Sequence, residues 1–200
     1  MEEKQRMAII AISAGHTKGT GALAVDGTQE YDYNTELANL TQIALEGLGH
    51  TCHILHREPS LSYGVAMSKL ADEMKSLGAV ASLELHFNAA SPSAHGAEFL
   101  HWFGSTRGKR LARCIADQFA HALPYITMRG DRGTRSLWYH SYNESKAYSG
   151  RGGAYVYKTP CPAVICEPFF GSNNGDLQYC KAEIHKIAQA YALGLNDFLK

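Results

Sequence analysis

Two histidines and two glutamates of this chain lie at the ends of predicted strands or at the start of a predicted helix. Proteins with a parallel sheet commonly carry their reactive side chains at such positions. His16 follows the first apolar run of the sequence, and His86 lies at the end of a later one. Glu167 ends a third run, and Glu30 begins a predicted helix directly after a Gly-rich loop. Because the carboxyl ends of parallel strands meet at one sheet edge, we expect these four side chains to approach one another.

Two imidazoles and a carboxylate, with one coordination position left open, suit a catalytic zinc ion. Such an ion lowers the pKa of water to about 7 and so makes hydroxide available at neutral pH. A second carboxylate can then carry the proton from the water to the leaving group. Glu167 suits this role, because Pro168 fixes the backbone after the strand. A strand-end histidine is more often hydrogen-bonded than metal-bound, so spacing alone leaves both interpretations open.

The hydrophobic pattern predicts one α/β domain over residues 1–200, with a mostly parallel central sheet and helices on both faces. Continuous apolar runs indicate strands that are buried on both sides, and apolar residues at helical spacing indicate the helices between them. The predicted strands are Met7–Ser13, Thr51–His56, Ala79–Phe87, Gly96–Phe103, Ala154–Tyr157 and Ala163–Cys166. The predicted helices are Glu30–Leu48, Leu61–Leu77, Thr106–Leu123 and a closing helix from Ile184 to Phe198.

The composition argues against two large classes of partner. Lys plus Arg and Asp plus Glu both number 19, so the formal charge is zero and gives no sign of nucleic-acid binding. There is no basic amphipathic stretch for an anionic membrane surface, and no window approaches the roughly 20 apolar residues of a membrane span. The N-terminus lacks the pattern of a secretory signal, so we expect synthesis in the cytoplasm without a signal peptide. Five scattered cysteines do not form a disulfide framework.

Four segments, in this order along the chain, resemble the zinc N-acetylmuramoyl-L-alanine amidases of the type 3 group, which occur in bacterial autolysins and phage endolysins. They are Gly15-His16 after an apolar strand, the helix start Glu30–Ala38, the segment Leu85–Ala89, and the stretch Pro162–Asn173 with its Pro-Ala-Val-x-x-Glu pattern. Each motif is weak alone, but together they extend the similarity from the first strand to the last helix.

The resemblance implies that one zinc ion is held by His16, Glu30 and His86, with Glu167 as the catalytic carboxylate. The implied reaction is hydrolysis of the amide bond between N-acetylmuramic acid and L-alanine, in peptidoglycan or in soluble muropeptides. Zinc would polarise the lactyl carbonyl and stabilise the tetrahedral intermediate, while Glu167 passes the proton to the alanine nitrogen.

Glu36 is a rival for the ligand on the first helix. We prefer Glu30 because Asn34 follows it by four residues, as in the family motif, and because Glu36 lies more than one turn into the helix. Asn88 is either a residue that orients the ligand loop by hydrogen bonds or a plain turn residue.

Two segments depart from the family pattern. Ser13-Ala14 precedes the first histidine where the family usually has an acidic residue, which puts the surroundings of His16 in question. Arg129–Gly152 is hard to align; its aromatic residues and arginines suit sugar rings and peptide carboxylates, so we predict that it lines the substrate groove, with a surface loop as the alternative.

Other functions fit the same residues. The site could cleave a different wall amide, as a zinc peptidase or carboxypeptidase, or the chain could be a non-catalytic wall-binding or regulatory module. Lysis by a compact phage endolysin and recycling of muropeptides in the cytoplasm are both compatible with the sequence. In the lytic setting the protein would act on the cell wall after release from the cell. We expect a monomer.

Overall fold

The computed structural model describes residues 7–137 and 153–200. The described strands are β1 (Ile9–Ala14), β2 (Thr51–Leu55), β3 (Ala81–Leu85), β4 (Glu98–Trp102), β5 (Thr134–Leu137) and β6 (Ala163–Glu167). The helices are α1 (Glu30–Gly47), α2 (Tyr63–Leu77), α3 (Thr106–Ala122), α4 (Gly153–Lys158), α5 (Asn174–Ala182) and α6 (Ile184–Leu199).

All six strands form one sheet in the order β2-β1-β3-β6-β4-β5. The first four of these run parallel, whereas β4 is antiparallel to β6 and β5 is parallel to β4. The predicted mostly parallel α/β sheet is therefore confirmed. The reversal at β4 places Glu98, its first residue, opposite Glu167, the last residue of β6. Both carboxylates consequently come to the edge at which β1 and β3 end.

Helices cover both faces of the sheet, which explains why most residues of the central strands are apolar. On one face, Ile10 and Ile12 of β1 belong to a large core that α1, α3 and α6 complete. On the other face, Ala11 belongs to a smaller core that includes residues of α2 and α4. Successive side chains of a strand point to opposite faces, so this alternation follows directly from the extended backbone. No helix in the described residues is long and apolar enough to cross a membrane.

The strand predicted at Ala154–Tyr157 is wrong, because these residues lie in α4. Tyrosine and valine favour strands locally, but here Ala154, Tyr155 and Val156 are buried together in the smaller core. Packing against that core has overridden the local preference. Two short elements were not predicted. β5 lies within the polar segment after Met128, and α5 follows β6 at Asn174–Ala182. At the start of α5, the side chain of Asn173 accepts a hydrogen bond from the N–H of Asp176.

The first two helices end within one residue of their predicted ends, close to a glycine. α2 ends at Leu77, and Gly78 after it adopts the left-handed conformation with φ 71°. Gly49, just past the end of α1, has φ 83°. Both positions favour glycine because a side chain would be strained there. All five cysteines lie in the described residues and are free.

Close contact between α3 and α6 gives a test of the packing. A Cβ atom at Gly194 would lie 2.6 Å from the Cα of Ile115, a backbone atom that cannot move away alone. We expect Gly194→Ala to lower the free energy of unfolding by about 1–3 kcal/mol, because it overfills this contact. Gly47→Ala is the control, since a Cβ there has nothing within 4 Å. Urea denaturation measures both, and a Gly194→Ala protein as stable as the wild type would contradict the packing described.

Candidate metal centre

The two histidines are brought together by the pairing of neighbouring strands. Ala14 of β1 is paired with Leu85 of β3, and the chain continues from these residues to His16 and His86. The N–H of Gly15 donates to the carbonyl of Leu85 at 2.7 Å, which extends the pairing beyond the strand ends. The imidazole centroids lie 4.9 Å apart with an interplanar angle of 79°. Parallel pairing therefore places two imidazoles side by side at the sheet edge.

Glu30 joins the histidines from the first residue of α1. Its Oε1 lies 2.9 Å from Nδ1 of His86, and its Oε2 lies 3.2 Å from Nε2 of His16. The backbone N–H groups of Ala22 and Phe87 also donate to this carboxylate, at 2.7 and 3.2 Å. Burial alone would raise the pKa of Glu30, but its hydrogen bonds to the two histidines outweigh burial and hold the pKa well below the usual range. The carboxylate is thus kept charged although only 2% of the residue is exposed.

These three residues form a group with the donor set of a zinc site. One ligand atom from each of His16, Glu30 and His86 can be chosen so that all lie within 4.8 Å of one another. It is the one such group of three or more histidine, cysteine, aspartate or glutamate side chains in residues 7–137 and 153–200. Two imidazole nitrogens and a carboxylate oxygen are the ligands of several catalytic zinc sites. The residues therefore fit a zinc ion by their chemistry.

Two glycines allow the ligands to approach so closely. A Cβ at Gly15 would lie 2.1 Å from Cε1 of His86, within the imidazole ring itself. A Cβ at Gly21 would lie 2.9 Å from Cδ2 of His16 and 3.0 Å from Oε2 of Glu30. His16 itself has φ 71°, an unfavourable conformation for a residue with a side chain. Backbone strain at such a position is typical of functional sites.

His86 has a second acidic neighbour, which the sequence analysis did not identify. Its Nε2 lies 3.3 Å from Oε2 of Glu84, and the other oxygen of Glu84 accepts a hydrogen bond from Arg57. Burial alone would lower the pKa of His86, but the neighbouring carboxylates of Glu30 and Glu84 raise it to about 10. One signal was available: Glu84 interrupts an apolar strand, and a buried carboxylate requires a partner.

Glu167 lies in the same cleft but outside the group of candidate ligands. The cleft has a volume of about 560 Å³, and its walls include His16, Glu30, His86 and Glu167. Glu167 is the last residue of β6, and its charge is one of the influences that raise the pKa of His86. A carboxylate held near the candidate ligands, on a rigid strand end, can exchange a proton with a molecule bound in the cleft.

A further buried carboxylate, Glu98, lies opposite Glu167 and has its own partners. Glu98 is fully buried and accepts hydrogen bonds from Asn88 Nδ2 at 2.9 Å, Arg129 Nε at 3.1 Å and Arg135 Nη1 at 2.7 Å. This hydrogen bond from Asn88 ties the loop after β3 to β4, and either predicted role of Asn88 stays a prediction. Of the segment Arg129–Gly152, residues 129–137 are described, and they place two arginines on Glu98. Residues 138–152, with the aromatic residues of that prediction, lie outside the described residues.

Glu36, the rival ligand, is exposed on α1 and lies outside the candidate group. It occupies the solvent-facing side of the helix, whereas Leu37 and Ala38 beside it are fully buried.

Solved structures with the same fold include several wall amidases. The chain matches the amidase Ami1 from Mycobacterium smegmatis with a TM-score of 0.78, at 19% identity over 96% of both chains. It matches the amidase AmiC2 of Nostoc punctiforme with a TM-score of 0.75, at 18% identity over 96% of this chain and 97% of the other. It matches the catalytic domain of the CD27L endolysin, which targets Clostridia difficile, with a TM-score of 0.74, at 24% identity over 95% and 97%.

These likenesses establish the fold, and the sequence establishes the family. No curated protein sequence is a significant match. The family model of N-acetylmuramoyl-L-alanine amidases, Amidase_3, matches residues 10–197, which include both histidines and both glutamates of the site. The resemblance drawn from the four motifs is thereby confirmed, and the chain belongs to the N-acetylmuramoyl-L-alanine amidase family.

Proposed function

We propose that this chain hydrolyses the amide bond between N-acetylmuramic acid and L-alanine with one zinc ion held by His16, Glu30 and His86. Membership of the amidase family supports the reaction. The observation that carries the metal site is the convergence of two imidazoles and a buried carboxylate from three separate segments of the chain. Peptidoglycan or a muropeptide is the substrate in this proposal.

The electrostatics of the site favour a cation. Glu30 remains ionised in a nearly water-free environment, and Glu84 adds a second buried negative charge on the far side of His86. A zinc ion supplies Lewis acidity, which polarises a carbonyl group and makes hydroxide available at neutral pH. The protein contributes preformed ligands, because Glu30 is already held by hydrogen bonds from Ala22 and Phe87.

Glu167 is the proposed general base and acid. Its carboxylate faces the cleft from the end of β6, where the central position of the strand in the sheet restricts its movement. In the proposed reaction it accepts a proton from the attacking water and gives it to the alanine nitrogen as the amide bond breaks. The nitrogen then leaves as a neutral amine, and the lactyl group becomes a carboxylic acid that releases its proton to the solvent.

The biological setting and the oligomeric state are further parts of the proposal. The endolysin domain with the same fold supports a lytic role on the cell wall. We propose that the protein acts as a monomer, because the described residues of this chain alone contribute all four site residues.

The bond that is cleaved can be identified from the products. Purified peptidoglycan incubated with the protein and zinc should release stem peptides with a free N-terminal L-alanine and leave glycan chains with free lactyl carboxylates. Mass spectrometry of both fractions measures these termini. New termini within the stem peptide would instead indicate a peptidase, and an inactive zinc-loaded protein would contradict the proposed reaction.

Removal of one proposed ligand should abolish stoichiometric metal binding. We expect His16→Ala to lose most of its zinc, because two remaining ligands hold the ion poorly. Elemental analysis of the purified protein gives the zinc content per chain. His185→Ala is the matched control, since His185 is exposed on α6 far from the candidate ligands in sequence. Full zinc content in His16→Ala would refute this set of ligands.

Removal of the proposed base should separate catalysis from metal binding. We expect Glu167→Gln to retain zinc and to lose activity by about 10²–10⁴-fold, the usual contribution of general acid–base catalysis. The rate of decrease in turbidity of a peptidoglycan suspension measures the activity. Glu36→Gln, on the exposed side of α1, should keep both zinc and activity. An active Glu167→Gln protein would exclude Glu167 from the mechanism.

A further inference from the structure

We propose that Glu84, held in place by Arg57, is a positioning residue that fixes the imidazole of His86 for metal binding. The proposal rests on the zinc site put forward above. In the metal-bound arrangement that we propose, Glu84 accepts the Nε2–H of His86 and leaves Nδ1 to face Glu30 and the metal.

The first step of the argument is the direction of the two ring nitrogens. Nδ1 of His86 lies 2.9 Å from Oε1 of Glu30, on the side of the candidate ligands. Nε2 lies 3.3 Å from Oε2 of Glu84. Glu84 and His86 are two residues apart along extended chain, so their side chains lie on the same side of it. Nδ1 is therefore bonded within the candidate ligand group, while Nε2 faces a buried carboxylate oxygen that has no hydrogen-bond partner in the described structure.

The second step is the chemistry of a histidine ligand. A neutral imidazole that offers one nitrogen to a metal carries its proton on the other, and a hydrogen-bond acceptor there selects the correct tautomer. A carboxylate acceptor also makes the ligand nitrogen more basic and restricts rotation of the ring. Glu84 supplies such an acceptor from within the sheet, where it cannot be replaced by bulk water.

The third step concerns Arg57, which keeps the carboxylate in place. Glu84 is fully buried between Leu83 and Leu85 in β3, and a lone negative charge there would be strongly unfavourable. Arg57 donates to Oε1 of Glu84 and leaves Oε2 to His86. Its guanidinium also lies 5.2 Å from the centre of the Tyr63 ring, at the start of α2. Arg57 thus orients one oxygen of Glu84 and balances its charge.

The competing explanation is that Glu84 and Arg57 form an ion pair that only stabilises the fold. A comparison with Glu98 separates this structural role from the positioning role. Like Glu84, Glu98 is a fully buried strand glutamate bound by arginine, but it contacts Asn88 and not a candidate ligand. Loss of either carboxylate should disturb the fold. Only loss of Glu84 should disturb the metal.

The test compares Glu84→Gln with Glu98→Gln by zinc affinity and by the visible spectrum of the Co²⁺-substituted protein. Competition with a chromogenic chelator gives the affinity, and urea denaturation of the metal-free proteins gives their stability. We expect Glu84→Gln to bind zinc about 10–100-fold more weakly and to show an altered Co²⁺ spectrum. Glu98→Gln should bind zinc as the wild type does, even where its stability falls.

A double substitution tests the same role in a protein that is expected to stay folded. Arg57→Met with Glu84→Met removes both charges together, so that no isolated buried charge remains, and such replacements commonly preserve stability. We expect this protein to fold and still to bind zinc more weakly than the wild type. Wild-type zinc affinity in a folded double variant, or an equal loss of affinity in Glu84→Gln and Glu98→Gln, would overturn the positioning role.

The outcomes also separate this inference from the proposed function. A wild-type protein that binds no zinc would overturn the metal site, and the role of Glu84 with it. A wild-type protein that binds zinc and cleaves the amide, with unchanged affinity in Glu84→Gln, would overturn the role of Glu84 alone.

Discussion

The buried carboxylate of Glu30 is the constraint on which the arrangement of the site depends. With 2% of its surface exposed, it cannot be solvated by water, so its negative charge must be satisfied by protein groups. The partners come from three segments: His16 after β1, the N–H of Ala22 in the Gly-rich loop, and His86 with Phe87 after β3. Three features must therefore bring their groups within hydrogen-bonding distance of this carboxylate: the start of α1, the path of the loop, and the pairing of β1 with β3.

Charge is concentrated at this sheet edge although the whole chain is neutral. Glu30, Glu84 and Glu98 are all buried there, each with its own partners: two histidines, Arg57, and the pair Arg129 and Arg135. Local pairing offsets each charge and allows several carboxylates to share a small volume. The formal charge of zero therefore gave no information about the strongly polar interior beneath the cleft.

The direction of β4 decides what surrounds the cleft. In a fully parallel sheet, the first residue of β4 would lie at the edge opposite to the last residue of β6. Because β4 runs antiparallel to β6, Glu98 is paired with Glu167, and the arginines that bind Glu98 lie near the strand end that carries Glu167. Arg129 and Arg135 therefore lie near this sheet edge, whereas the groove role of their segment stays a prediction.

The sequence by itself determined most elements, the mostly parallel sheet and the four side chains that meet at its edge. It could do so because the spacing of apolar residues shows which side of each strand or helix is buried. It also favoured Glu30 over the exposed Glu36. Only the tertiary structure decided that Ala154–Tyr157 is helical, that β4 is reversed, and that Arg57 pairs with Glu84. These outcomes depend on contacts between residues distant along the chain, and neither the order of strands in a sheet nor the partner of a buried charge is contained in local periodicity.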